Sequence, residues 1–272
     1  MRSIPGSMDP AVVAAIDDRL DRVESDHGVR VLWAIESGSR AWGFPSPDSD
    51  YDCRFLYLHR VEDYLGLRAR RDVIETPLDK VFDVNGWDVR KALALMVKGN
   101  ATVGEWLRSP IVYRGDAAFR DELLAVADDV VDRAALVRHH VHVARNNLGL
   151  LDSSGAMKKF FYALRPAVTL VWLREHEEAA VPPIDLGTLL VEVTAPDDVR
   201  AAVANLVATK SRTREMGTAP VPGLLRAFVD AELEAAEASL PGLESAREDP
   251  SREREWARAE EAFLSLLERA VD

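Results

Sequence analysis

The chain predicts an α/β (α+β) fold, a small mixed sheet followed by an all-helical part, and three observations predict it. Short apolar runs of strand length, Val31–Ile35, Arg54–Leu58 and Ile111–Tyr113, are interleaved with helical spacing over the first 115 residues. From about Asp116 onward the apolar positions recur at helical spacing almost throughout. Between the first two strands lies Glu36-Ser-Gly-Ser-Arg-Ala-Trp-Gly-Phe-Pro-Ser-Pro-Asp-Ser-Asp-Tyr-Asp-Cys-Arg-Phe-Leu-Tyr57, a small-residue turn followed by closely spaced acids. The change of class at Gly115 predicts two domains, a catalytic sheet domain over 9–115 and a helical substrate-binding domain over 116–272.

Each element has its own signal. Asp9-Pro10 is a helix cap followed by a first-turn proline, and Val12, Val13, Ile16, Leu20 and Val23 continue that helix to Gly28. Two strands flank the Gly-Ser turn. Arg71–Thr76 and Lys80–Asn85 predict two more, joined by a turn at Pro77-Leu78-Asp79. Helical spacing resumes at Trp87, with Val89, Leu93 and Met96 on one side, and stops at Gly99-Asn100. A short helix over Val103–Leu107 precedes the strand at Ile111. Pro182-Pro183, Pro196 and Pro220-Val-Pro222 punctuate the helical part, and the charged tail from Pro250 carries Trp256, Phe263, Leu266 and Leu267 on its apolar side.

With 34 basic and 46 acidic side chains the net charge is −12, which argues against a surface built for broad nucleic-acid binding but leaves room for a local basic cleft. The single cysteine, Cys53, excludes an intrachain disulfide or a cysteine-based zinc site, and it reads as a small buried apolar residue. No apolar run has the length that spans a bilayer and no leader resembles a signal peptide, so a cytoplasmic enzyme without membrane contact is expected. His139, His140 and His142 are expected on a solvated helix face, since no nearby acid completes a metal set.

The chemistry concentrates in the acids. On an extended segment Asp50, Asp52 and Arg54 face one way while Tyr51, Cys53 and Phe55 face the other, into the core. Two aligned carboxylates suit a magnesium site for nucleotide chemistry, and a Gly-Ser turn after a strand frees backbone N–H groups and a hydroxyl for phosphate. A third acid is expected on a neighbouring strand, and Asp83, between Phe82 and Val84, fits as a ligand or as the base that activates the incoming hydroxyl. Asp88 is better explained as a helix cap and Asp79 as a turn residue. Arg54 either touches a phosphate or balances the aspartates. Lys158, Lys159 and Arg165 form a candidate basic wall, with the exposed helix face as the plain alternative for each. Phe160, Phe161 and Tyr162 read as interdomain core, Lys210 and Arg212 as weak phosphate candidates, and Asn100 as a cap.

A strand, Gly-Ser, Asp-x-Asp on the next strand and one later acidic strand residue resemble the signature of polymerase-β-type nucleotidyltransferases. Gly38-Ser-Arg-Ala-Trp-Gly with Ser49-Asp-Tyr-Asp-Cys-Arg is similar to the opening motif of an RNA-ligase-associated (RlaP-like, YcgL-like) branch. Asp83-Val-Asn-Gly-Trp-Asp, Lys98-Gly-Asn with Glu105, and Lys158-Lys-Phe-Phe-Tyr-Ala-Leu-Arg-Pro resemble later blocks, and Lys210 with Glu215 a weaker fourth. The likeness runs over about 10–240; Ala101 departs from it, standing where the branch has proline. It implies that Gly38, Ser39 and Arg40 meet the NTP phosphates, and that Asp50, Asp52 and Asp83 hold two Mg2+ or Mn2+ ions. It further implies that NMP passes to a hydroxyl, with an RNA 3′ end favoured over a small molecule or a protein side chain. A noncatalytic nucleotide- or RNA-binding adaptor, and a partner in a two-component module, are the alternatives.

Overall fold

The computed structural model describes residues 1–271 except 79–80, 214–216, 219 and 246–248. The turn expected at Asp79, the strand start at Lys80 and Glu215 of the fourth block therefore lie outside the described residues.

Helix α1 (Pro10–His27) begins where the Asp9 carboxylate accepts the N–H of Ala11, and it ends at Gly28, whose φ of 63° closes the last turn. Strand β1 (Arg30–Glu36), the one-turn helix α2 (Gly38–Ala41) and β2 (Tyr51–Leu58) follow. Helix α3 (Val61–Leu65) leads to β3 (Val73–Glu75) and β4 (Phe82–Asp88), then to α4 (Val89–Val97), α5 (Ala101–Leu107) and β5 (Val112–Gly115). The strands form one mixed sheet in the order β3-β4-β2-β1-β5, with β2 and β4 parallel and the other pairs antiparallel.

Trp87 is strand, not the helix start that the spacing predicts. It pairs with Val73. The strand runs directly into α4 through Asp88, whose carboxylate accepts the N–H of Arg90, so one continuous apolar pattern spans two elements. Asn100 likewise caps α5 through the N–H of Thr102.

Alternation along β2 sorts its side chains between two layers. Tyr51, Cys53, Phe55 and Tyr57 pack with Ile16 and Leu20 of α1. Leu56 and Leu58 lie on the opposite face, in a core with Trp33 and with α4 and α5. Gly86 faces Phe55 across the parallel pair, and a Cβ there would lie 2.2 Å from the ring. Gly86→Ala is therefore expected to cost about 1–3 kcal/mol by overpacking, read as a lower urea midpoint.

After Gly115 come α6 (Ala117–Val130), α7 (Arg133–Ser154), α8 (Met157–Glu175), α9 (Leu186–Glu192), α10 (Asp197–Arg212), α11 (Gly223–Ser245) and α12 (Asp249–Val271). Packing does not follow chain order across that point. Phe119 and Leu123 of α6, with Ala259, Ala262 and Leu266 of α12, join the core built on the sheet, whereas α7 to α11 form a separate core. Trp42 and Phe44, from the segment after α2, enter that helical core; Phe44 is fully buried, with its ring 5.0 Å from Phe161. Trp42 O accepts the N–H of Leu186, and Gly43 carries a φ of 83° beside Asp185.

Of the three histidines expected on a wet face, only His142 is exposed. His140 is buried, its Nε2 without a hydrogen-bond partner, and burial holds its pKa well below the usual histidine range. Because α7 packs against both α8 and α11, its solvent stripe is narrower than the sequence suggests. No helix among the described residues is long and apolar enough to cross a membrane.

Candidate active site

The parallel register of β2 and β4 sets Asp52 directly beside Asp83, so two carboxylates from distant segments share one face of the sheet. This is the face whose far half is covered by α4 at Leu56; at Asp52 and Arg54 it lies open. The first turn of α2 closes tightly over the acids. Gly38 has a φ of 62°, and a Cβ there would lie 2.3 Å from Asp52 Oδ2, so both backbone conformation and space require glycine.

Behind Asp52 stands Glu36, which the sequence reading assigned no role. It is fully buried: Oε1 accepts the Asp52 N–H at 3.0 Å, and Oε2 accepts the Tyr113 hydroxyl at 2.6 Å. The Ser37 N–H donates to Asp52 O at 2.8 Å, completing the anchor. Burial pushes the Glu36 carboxyl up to about 7, against the two hydrogen bonds that favour its charged form. The folded pKa exceeds the ordinary 4.5, so the folded state holds this proton more tightly than the unfolded chain. That contribution to stability is complete below about pH 4.5 and is lost as pH rises through about 7. Glu36→Gln is expected to flatten this window by on the order of 3 kcal/mol, measured as the wild-type-minus-variant difference in urea unfolding between pH 4.5 and 8.

Arg54 is engaged by the acids. Its Nη2 lies 3.2 Å from Asp52 Oδ1 and 3.0 Å from Asp83 Oδ2, while Nη1 donates to the carbonyls of Cys53 and Asp83 at 3.0 and 3.3 Å. Asn85 Nδ2 donates to both oxygens of Asp83, at 2.8 and 2.9 Å. Asn85 was not singled out in sequence; its position two after Asp83 on a strand is the signal that places it on the same face. Burial raises the Asp52 pKa; Arg54 opposes this, while Asp83 and Asp50 add to it.

Arg40 is turned away from the phosphate role the resemblance implies. It donates to the carbonyls of Ser49 and Asp50 at 2.6 and 3.2 Å, and its guanidinium stacks on the Tyr51 ring at 3.9 Å. Ser39 Oγ donates to Ser49 Oγ at 3.0 Å, which ties the α2 turn to the segment leading into β2.

A cavity of about 630 Å³ opens beside Asp52; Gly38, Arg40, Arg54 and Asp83 are not among the residues that line it. Ser39, Asp50 and Asp52 line it from the sheet side, and Lys158, Tyr162 and Lys210 from the helical side. Lys159 is not among its lining residues; it is half-buried, 6.0 Å from the Tyr162 ring centroid. Arg165, expected beside Lys158, is instead buried, paired with Glu105 at 2.8 Å and stacked on Trp42. Lys210 is 4% exposed, with its ammonium over the rings of Phe44 and Phe161 at 4.4 and 4.7 Å. Burial, reinforced by the charge of Lys158, lowers its pKa to about 8.

The donor set suits a hard divalent cation in one respect. Asp52 and Asp83 converge on a single positive group, the Arg54 guanidinium, which stands in for a cation between two carboxylates. Asp50 is not drawn in with them: among the described residues no three His, Cys, Asp or Glu side chains come together as a metal-holding group.

A mixed sheet carrying adjacent acids beside a Gly-Ser turn, followed by helices that face them, defines a polymerase-β-like domain. The chain belongs to the RNA repair pathway DNA polymerase beta family, whose sequence model matches residues 12–264. The match takes in much of α12, beyond the point near residue 240 where the sequence motifs end. The chain is also similar to the uncharacterized protein YcgL of Bacillus subtilis (strain 168), 35% identical over 240 residues, which span 88% of this chain and 92% of that protein.

Proposed function

We propose that this protein is a magnesium- or manganese-dependent nucleotidyltransferase that moves NMP from an NTP to a hydroxyl, with an RNA 3′ end as the acceptor. The observation that carries the reading is the cavity itself: carboxylates on one wall, and the ammonium groups of Lys158 and Lys210 on the other. A nucleoside triphosphate needs both. Lys210, desolvated and without an ion pair among the described residues, has its charge available for a phosphate oxygen. RNA as acceptor rests on the description of the family.

In this reading the sheet core, with α6 and α12 packed on it, supplies the nucleotide chemistry, and the α7–α11 core binds the acceptor and turns Lys158 and Lys210 toward the phosphates. The acceptor oxygen bonds to the α-phosphorus as the bond to the bridging oxygen breaks, and pyrophosphate leaves with that electron pair. The hydroxyl proton passes to a carboxylate of the Asp52–Asp83 pair. Ser39 and the α2 turn orient the phosphates, Lys158 and Lys210 neutralise them, and Glu36 fixes the height of Asp52. Divalent ions would be held by Asp52 and Asp83, with Asp50 nearby on the cavity wall, and would supply neutralisation of the phosphate oxygens and activation of the hydroxyl.

Incubation with α-labelled NTPs, Mg2+ and a panel of RNAs tests the proposal: label is expected on RNA, with release of pyrophosphate. Label on the protein or on a small molecule would replace the acceptor, and absence of any transfer would remove the activity. The noncatalytic adaptor is the second reading, favoured by the lack of a preassembled three-carboxylate group among the described residues. Stabilisation by RNA without metal, and none by NTP with metal, is the thermal-shift outcome that would select it.

A further inference from the structure

We propose that Arg54 is a built-in competitor for the divalent cation, a gate whose guanidinium holds the acids together until the ion displaces it. The inference rests on the metal-dependent reading above.

Two facts about the geometry carry it. First, Arg54 Nη2 touches one oxygen of each neighbouring acid, Asp52 Oδ1 and Asp83 Oδ2, and so occupies the space between them that an ion shared by both would need. Second, Asp83 has little capacity left over. Asn85 donates to both of its oxygens, and Arg54 takes Oδ2 as well. Asp52 Oδ2 lies against Gly38, with no room between them for a Cβ. An ion shared by Asp52 Oδ1 and Asp83 Oδ2 must therefore displace the guanidinium from at least one of them.

The arrangement also explains why a cation is held there at all. Two carboxylates in register across a parallel pair, partly removed from water, disfavour each other's charge. An arginine two residues along the same strand lands on the same face and relieves that repulsion in the metal-free protein. Its side chain keeps contact with solvent, at 21% exposure, so it has somewhere to go. The carbonyls of Cys53 and Asp83 hold Nη1 at the base of the site and define the resting position. The expected consequence is modest apparent metal affinity combined with a stable metal-free fold.

The test compares Mn2+ binding by the full chain, without nucleotide, in wild type, Arg54→Gln and Arg54→Lys, by calorimetry and by loss of the free-ion electron-spin signal. Arg54→Gln is expected to bind Mn2+ on the order of tenfold more tightly and to melt at a lower temperature without metal, with Mn2+ restoring more of its stability than of wild type. Arg54→Lys keeps the charge without the two-pronged bridge and is expected to fall between the two, and it decides the matter if the glutamine variant does not fold. Unchanged or weaker Mn2+ binding in both variants would overturn the proposal and make Arg54 an organiser of the site. Failure of wild type and both variants alike to bind Mn2+ would overturn the metal-dependent reading itself.

Discussion

Asp52→Asn is expected to abolish metal-dependent NTP turnover, by on the order of a thousandfold or more, while leaving the fold intact. The two halves of that expectation have separate causes. Asparagine removes the negative charge and one strong oxygen donor from the centre of the site, where neither Asp50 nor Asp83 can replace it from its own position on the sheet. The anchors that hold this residue, by contrast, are main-chain: its N–H donates to Glu36 and its carbonyl accepts from Ser37. Both survive the substitution, and Arg54 keeps its contact with Asp83. Turnover with labelled NTP, beside a melting temperature within a few degrees of wild type, checks it. Undiminished turnover in a folded variant would dismiss the assignment.

Phe161→Ala is expected to produce the largest loss of stability among the substitutions considered, about 3–5 kcal/mol. The ring is fully buried in the helical core, 5.0 Å from Phe44, and a cavity there has no easy route to collapse between α8 and the segment after α2. Chemical unfolding reads the loss. A second effect follows because Phe161 and Phe44 are the two rings beneath the Lys210 ammonium. Weaker NTP binding than the residual stability alone would explain is expected under conditions where the variant remains folded. Wild-type affinity in the folded variant would remove Lys210 from the phosphate site.

Much of the site was legible because strands repeat every two residues. That period put Asp52 and Arg54 on one face and Cys53 and Phe55 on the other, and the structure keeps the division. Asp83 was recognisable as an acid inside an apolar strand. Its register against Asp52 was not, since a parallel pairing between segments some thirty residues apart is decided by the crossover and not by either strand. Lys158 and Arg165, grouped in one candidate basic wall, part company in the structure. Seven residues return to the same face, but about 10 Å farther along the axis, which carries Arg165 out of the cleft and into contact with Glu105. Glu36 escaped notice because a carboxyl at the end of a strand reads as solvent-facing. Only the closing of β5 over it, through Tyr113, reveals its burial.

Trp42 and Phe44 give the cleft a fixed gauge. They follow within a few residues of Gly38 and Ser39, so the turn proposed to meet the phosphates is spliced to a plug seated in the opposite half of the molecule. Parting the two walls would draw Phe44 out of its socket, at about 2–3 kcal/mol for that ring alone. Under the proposed function, substrates are expected to be sorted by whether they fit a slot of set width, and mutations that loosen the plug are expected to blur that sorting before they unfold the protein.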